Sequence, residues 1–301
     1  MSAPGMKDFA AEQLAAIARL FSSIVIREMA RKGSSPLFSR LAKQSGLLDS
    51  LRGTELVRNL FDAAFSVLRR PGFRHEYIYK AALTKNILLG RHSLRTASIL
   101  TEFRAVDCKV DLVILNGSST AYEVKSERDS LFRLERQMAA YSKVFARVYV
   151  IAAECHVEAV MASVPADIGI LRLNKRHNIS ILREAEDRAD RMSPEAIFES
   201  IRTEEARMIL SSLGYRIPLV PNTELHFMLR QLFVDLDPRD AHHGMVRVLR
   251  HTRSSLPIAN LVNELPPSLQ MAALSVTLRR IDHRRLVAAV NTPLEIAMCW
   301  R

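Results

Sequence analysis

Within the stretch VDLVILNGSSTAYEVKS (residues 110–126), three side chains are of types that do chemistry together: Asp111, Glu123 and Lys125. Their surroundings are apolar and patterned like a β-hairpin, and a charge in such a strand is costly unless something pairs with it. Side chains alternate along a strand, so Glu123 and Lys125 share one face while Val124 takes the other. Asn116-Gly117 is a strong turn signal, and folding back there lays the strand carrying Asp111 beside the one carrying Glu123 and Lys125. Two carboxylates on rigid strands are what a hard cation such as Mg²⁺ requires, with water and a substrate phosphate filling its remaining positions. Lys125 then sits beside the metal. The plainer alternative is a cross-strand salt bridge on a solvated hairpin face.

The elements that must position these residues are legible on both sides. SILTEFRAV, VDLVILN, TAYEVKS, ARVYVIAA, IGILRLN and ISILREA are short and rich in β-branched or aromatic residues, which predicts six strands. Between the third and fourth, RDSLFRLERQMAAYSKVF predicts a helix whose face is Leu131, Leu134, Met138, Tyr141 and Phe145, with Asp129 as N-cap. HEYIYKAALTKNILLG, before the first strand, reads as a helix ending at a Gly90 C-cap. The order is helix, three strands, helix, strand. Upstream, Leu14, Ile17, Phe21 and Ile24 mark one face of an N-terminal amphipathic helix, and after about residue 185 the pattern is mostly helical.

This arrangement resembles the PD-(D/E)xK nuclease superfamily, in which an Asp ends one strand and the next carries a Glu, one spacer and a Lys. Asp111 and Glu123-Val124-Lys125 match it, with Val110 standing where the family name has Pro. Gln137-Met-Ala-Ala-Tyr141 is similar to the Q-x-x-x-Y motif of the RecB and lambda-exonuclease-like branch, and the whole window resembles a bacterial nuclease-like family. The resemblance covers residues 73–184. It implies an α/β fold with a restriction-endonuclease-like αβββαβ core and helical extensions at 1–72 and 185–301. It further implies Mg²⁺ or Mn²⁺ held by Asp111, Glu123 and the Val124 carbonyl, with Glu76 as an additional carboxylate. An ordinary first-turn Glu favoured by the helix dipole explains Glu76 equally well. Lys125 would orient the attacking water and neutralise charge, Gln137 and Tyr141 would support it, and Arg133 would meet a substrate phosphate or pair with Glu123. The expected activity is phosphodiester hydrolysis, of DNA rather than RNA, in defence against foreign DNA or in repair. The alternative is a nuclease-fold module that holds nucleic acid or protein without cutting.

Bulk composition agrees with an anionic partner. The chain has 301 residues, 48% of them hydrophobic, enough for a full core, and a formal charge of +11. Nucleic acid is the first candidate and an anionic membrane surface the second. Arg247, Arg250 and Arg253, then Arg279, Arg280, Arg284 and Arg285, form two basic stretches suited to tracking a phosphate backbone, and Arg91 lies in a Gly-Arg-His-Ser segment that could contact phosphate. His242-His243 reads as solvated surface. Cys108, Cys155 and Cys299 show neither a disulfide framework nor zinc spacing, which fits a reducing cytoplasm. Glu12, Arg19 and Arg27 interrupt the apolar N-terminal run, so no membrane span is expected. The apolar C-terminal helices leave room for a protein partner or a homo-oligomer.

Overall fold

The structure, a computed structural model, describes residues 9–51 and 54–301. The chain gathers into two compact units, Met1–Ala81 with Pro257–Arg301, and Ala82–Leu256.

The first unit opens with α1 (Ala11–Leu20), α2 (Ser23–Lys32), α3 (Pro36–Ser45), α4 (Val57–Leu68) and the start of α5 (Glu76–Leu83). The single N-terminal helix expected from the sequence is two helices. Ser22 adopts an extended conformation as the N-cap of α2, which resets the helical phase. Leu14, Ile17 and Phe21 are accordingly buried, whereas Ile24 is 56% exposed and Val25, Ile26 and Met29 point inward. At α3 the Ser35 hydroxyl accepts a hydrogen bond from the Phe38 N–H at 3.0 Å, and Pro36 occupies the first turn, where its missing N–H costs nothing. Phe21 stacks on Tyr77 with ring centroids 4.5 Å apart, and Phe38 meets both Phe61 and Trp300.

In the second unit the π-helical turn Thr84–Leu88 leads into α6 (Leu89–Arg91). Gly90 lies inside this last turn; extended His92, not Gly90, is the C-cap. Six strands follow as the sequence predicts: β1 (Ser98–Ala105), β2 (Cys108–Asn116), β3 (Ser118–Lys125), β4 (Arg147–Ala152), β5 (Gly169–Leu173) and β6 (Ile179–Arg183). They form one sheet in sequential order, antiparallel from β1 to β3, parallel from β3 to β5, and antiparallel again at β6. The parallel pairs need crossovers, supplied by α7 (Leu134–Ser142) and α8 (Val157–Ser163). α7 starts later than expected: Arg133 is its N-cap, and Asp129 instead accepts from the Ser126 N–H at 2.7 Å, closing a turn after β3.

Strand β1 carries a local irregularity. Glu102 has φ +52°, a left-handed conformation that non-glycine residues seldom adopt. The pairs Thr101–Leu112 and Phe103–Val110 keep one register on either side, which sets Glu102 opposite Asp111. Across this point the core-facing positions change parity, from Leu100 to Phe103 and Ala105 on β1 and from Val110 to Val113 and Leu115 on β2.

The helices α9 (Pro194–Ser200), α10 (Thr203–Ser212), α11 (Asn222–Val234) and α12 (Pro238–Thr252) contribute Phe198, Ile209, Phe233 and Met245 to the same core as the sheet and α7. Buried Glu205 on α10 holds Arg253 by two hydrogen bonds, 2.7 and 2.6 Å, and that guanidinium lies over the Phe103 ring. The remaining helices, α13 (Ala259–Glu264), α14 (Pro267–Leu274), α15 (Arg280–Val290) and α16 (Leu294–Ala297), belong to the first unit. There the Ser39 hydroxyl donates to the Met298 carbonyl and the Ser268 hydroxyl to the Asp62 carboxylate. The partition therefore differs from divisions at 72/73 and 184/185: residues 185–256 pack with the sheet, and the last 45 or so return to the N-terminal helices. No helix among the described residues is long and apolar enough to cross a membrane.

His242 on α12, expected on the surface, is buried, with Nε2 3.0 Å from the Ser119 hydroxyl of β3, which also accepts the Ala146 N–H. Burial, aided by neighbouring His243, lowers its pKa from 6.5 to about 4. The unfolded chain therefore takes up a proton first as the pH falls, so stability is full above about pH 6.5 and is lost toward pH 4, by up to about 3 kcal/mol. Denaturant titrations across that window should show this loss in the wild type and a smaller one in His242→Gln.

Candidate functional site

Strand β3 runs between β2 and β4, so both its edges are paired, and its residues from Ala121 to Lys125 are all buried. Glu123 and Lys125 are only 3% and 6% exposed. Such burial of charge requires nearby partners, and the partners are present. Lys125 Nζ donates to Glu123 Oε1 at 2.8 Å and to Gln137 Oε1 at 2.9 Å. Gln137 Nε2 donates to the same Glu123 oxygen at 2.6 Å. The Tyr141 hydroxyl lies 2.8 Å from Glu123 Oε2 and 2.6 Å from the Lys109 carbonyl, so its one proton is shared between two acceptors.

Gln137 and Tyr141 meet this cluster because they are four apart on α7, hence on one face, and Tyr141 and Met138 anchor that helix in the sheet core. Burial, reinforced by the Glu123 carboxylate, pushes the Tyr141 phenol above its ordinary value. It remains a donor at every ordinary pH. Asp111, half-buried on β2, accepts the Val124 N–H at 2.7 Å through Oδ2. The β2–β3 register, continued one step past Leu112–Tyr122, sets Asp111 opposite Glu123.

Glu102 is the residue that the sequence reading missed. Its carboxylate and that of Asp111 approach within 4.8 Å of one another. Three carboxylates thus follow one another across β1, β2 and β3. Like charges directly opposite on neighbouring strands repel, and carboxylate oxygens of this kind could serve a divalent cation as ligands. The signal in the sequence was the register itself: counting back from Asp111 through the β1–β2 turn reaches Glu102.

Glu76 stands exposed in the first turn of α5, in the first unit, and pairs with Lys80 one turn on. Arg133 is exposed at the α7 N-cap; Glu123 is paired with Lys125 and not with Arg133. Arg91 is exposed at the end of α6, and Arg284 is exposed on α15 of the first unit. Arg247 and Arg250 lie on α12 of the second unit. Of the two basic stretches, Arg253 and Arg279 are engaged with Glu205 and Asp282.

Removing Lys125 leaves Glu123 buried without its countercharge. Lys125→Ala should lose about 3–5 kcal/mol of stability in urea titrations, and the double variant Glu123→Gln with Lys125→Met should lose less than the sum of the two single changes. Strict additivity would mean that the two side chains are not coupled.

Comparison with known proteins places the second unit in a family. A family model described as Bacteriophage P4 protein cII matches residues 70–254, a span that nearly coincides with Ala82–Leu256. Protein cII of Enterobacteria phage P4 is 29% identical over 105 residues, 34% of this chain and 36% of its own length, so the chain spans about a third of that relative. A solved structure, the SPO1766 protein of unknown function from Silicibacter pomeroyi, aligns over 49% of this chain and 97% of its own at 20% identity, with a TM-score of 0.30, too low to carry a shared fold. The family match covers more than half of the chain, and the protein belongs to the bacteriophage P4 protein cII family.

Proposed function

We propose that the second unit is a metal-dependent nuclease with a restriction-endonuclease-like αβββαβ core, hydrolysing phosphodiester bonds of DNA in defence against foreign DNA or in repair. The observation that carries this reading is the convergence of two separate sequence patterns on one buried cluster. Glu123 and Lys125 of β3 and Gln137 and Tyr141 of α7 are joined by hydrogen bonds beside Asp111.

The donor chemistry suits Mg²⁺ or Mn²⁺, which Asp111, Glu123 and the Val124 carbonyl would hold, with Glu102 as a further oxygen donor. When bound, the ion would acidify a water and draw charge from the scissile phosphate. The protein's own groups do the rest. Lys125 has three N–H donors, two of which are fixed by Glu123 and Gln137, so the third is aimed and can stabilise charge building on a phosphate oxygen. Gln137 binds Lys125 through its carbonyl and Glu123 through its amide, which locks both in one orientation. Tyr141, held protonated, fixes the second Glu123 oxygen and takes no part as a base. The net charge of +11 would gather polyanions before contact.

One observation favours the non-cleaving alternative, a nuclease-fold module that binds nucleic acid or protein. Glu123 already accepts hydrogen bonds from three side chains, which by itself satisfies most of its capacity without an ion.

Asp111→Asn separates the two readings, because the amide oxygen can still accept the Val124 N–H while the charge is lost. Linear duplex, circular duplex and single-stranded DNA, with RNA in parallel, should be incubated with protein and Mg²⁺ or Mn²⁺. Cleavage by the wild type, abolished by chelator and reduced at least about a hundredfold in Asp111→Asn, is the expected result. Intact substrates in every arm would favour the binding module.

A further inference from the structure

The hairpin turn at Asn116-Gly117 lies at the opposite end of β3 from Lys125, roughly 23 Å along the strand. Beside it is a cavity of about 600 Å³, formed entirely within the second unit by the segment before β1, the turn and helix α12. Its lining includes Arg95, His243, Arg247, Arg250 and His251, against a single carboxylate, Asp240. The α12 residues fall at positions 240, 243, 247, 250 and 251, the spacing of one helical stripe.

This stripe is unfavourable in isolation. His243 with Arg247, and Arg247 with His251, are like-type neighbours one turn apart, which weakens a helix whenever the histidines are charged. Some other arginines of the unit are ion-paired: Arg136 with Asp107, Arg172 with Glu154, Arg207 with Glu204 and Arg253 with Glu205. By contrast Arg95, Arg247 and Arg250 form no ion pair among the described residues, and the hydrogen bond of Arg247 is to a neutral group, the Ser212 hydroxyl at 2.6 Å. Three guanidinium groups without an ion pair thus lie around one concavity.

We propose that this cavity binds a phosphate-bearing small ligand of the nucleoside polyphosphate class. Guanidinium forks match phosphate oxygens in pairs, and the volume lies within the range of small-molecule sites. The cations also converge. From His243 to His251 the stripe spans about 12 Å, which suits the few phosphates of a nucleotide tail, and the cations gather around one concavity. Ser98 and Ser254 also line it. The inference does not depend on metal binding or cleavage at Asp111.

The test is calorimetric titration of the full-length protein with ATP and with inorganic triphosphate in the absence of divalent metal. A mixed-sequence single-stranded oligonucleotide serves as competitor. Both small anions should bind. The double variant Arg247→Gln with Arg250→Gln, and separately Arg95→Gln, should weaken them at least tenfold, while Asp111→Asn should bind as the wild type does. Absence of binding by either anion, or equal affinity in the variants, would overturn the proposal. So would loss of oligonucleotide binding in the double variant when the wild type binds no nucleotide, which would reassign the cavity to a polynucleotide track.

Discussion

A carboxylate and an ammonium 2.8 Å apart, both more than nine-tenths buried in the middle of a sheet, are the constraint around which the second unit is arranged. Taking two charges out of water costs several kcal/mol for each ion, and their mutual attraction restores that only with good geometry and further hydrogen bonds. The surrounding elements supply those bonds. β2 brings Asp111 to the Val124 backbone, and α7 brings Gln137 and Tyr141 to Glu123, each at hydrogen-bonding distance. A well-packed apolar pair would serve stability as well.

The position of α7 follows from this. Its crossover joins the parallel strands β3 and β4, and its buried face, Leu134, Met138 and Tyr141, fills the sheet core. The same packing that seats the helix therefore sets the donor angles at Glu123. At the other side of the cluster, the left-handed Glu102 interrupts the β1–β2 ladder opposite Asp111. Backbone strain of this kind costs on the order of 1–3 kcal/mol and persists where the surroundings impose it. The strained residue and Glu123 of the buried pair fall on the same cross-strand row.

Much of this was legible in residue order alone. The six strands announced themselves through β-branched runs, the Asn116-Gly117 turn fixed the hairpin, and the i, i+4 spacing of Gln137 and Tyr141 placed both on one helical face. What escaped depends on long-range packing. Two adjacent histidines carry no sign that one will be buried against Ser119, and a Glu within TEFRA carries no sign of a positive φ. The reset at Ser22 is one extended residue inside a continuous helical pattern, so periodicity ran straight through it. The C-terminal helices look alike in sequence, yet those up to residue 256 share the sheet core and those beyond it pack with the N-terminal helices, a distinction made by contacts hundreds of residues apart.

The proposed nuclease reading requires that the carboxylates beside Lys125 hold a divalent cation. Mn²⁺ binding, followed by electron paramagnetic resonance of the free ion in wild type and in Asp111→Asn, tests it without reference to any substrate. The expected result is one Mn²⁺ per wild-type chain, displaced by Mg²⁺ and bound at least about tenfold more weakly by the variant. Wild-type protein that leaves millimolar Mn²⁺ free, or a variant that binds it equally well, would rule out a metal site at Asp111 and leave Glu123 and Lys125 as a buried structural pair.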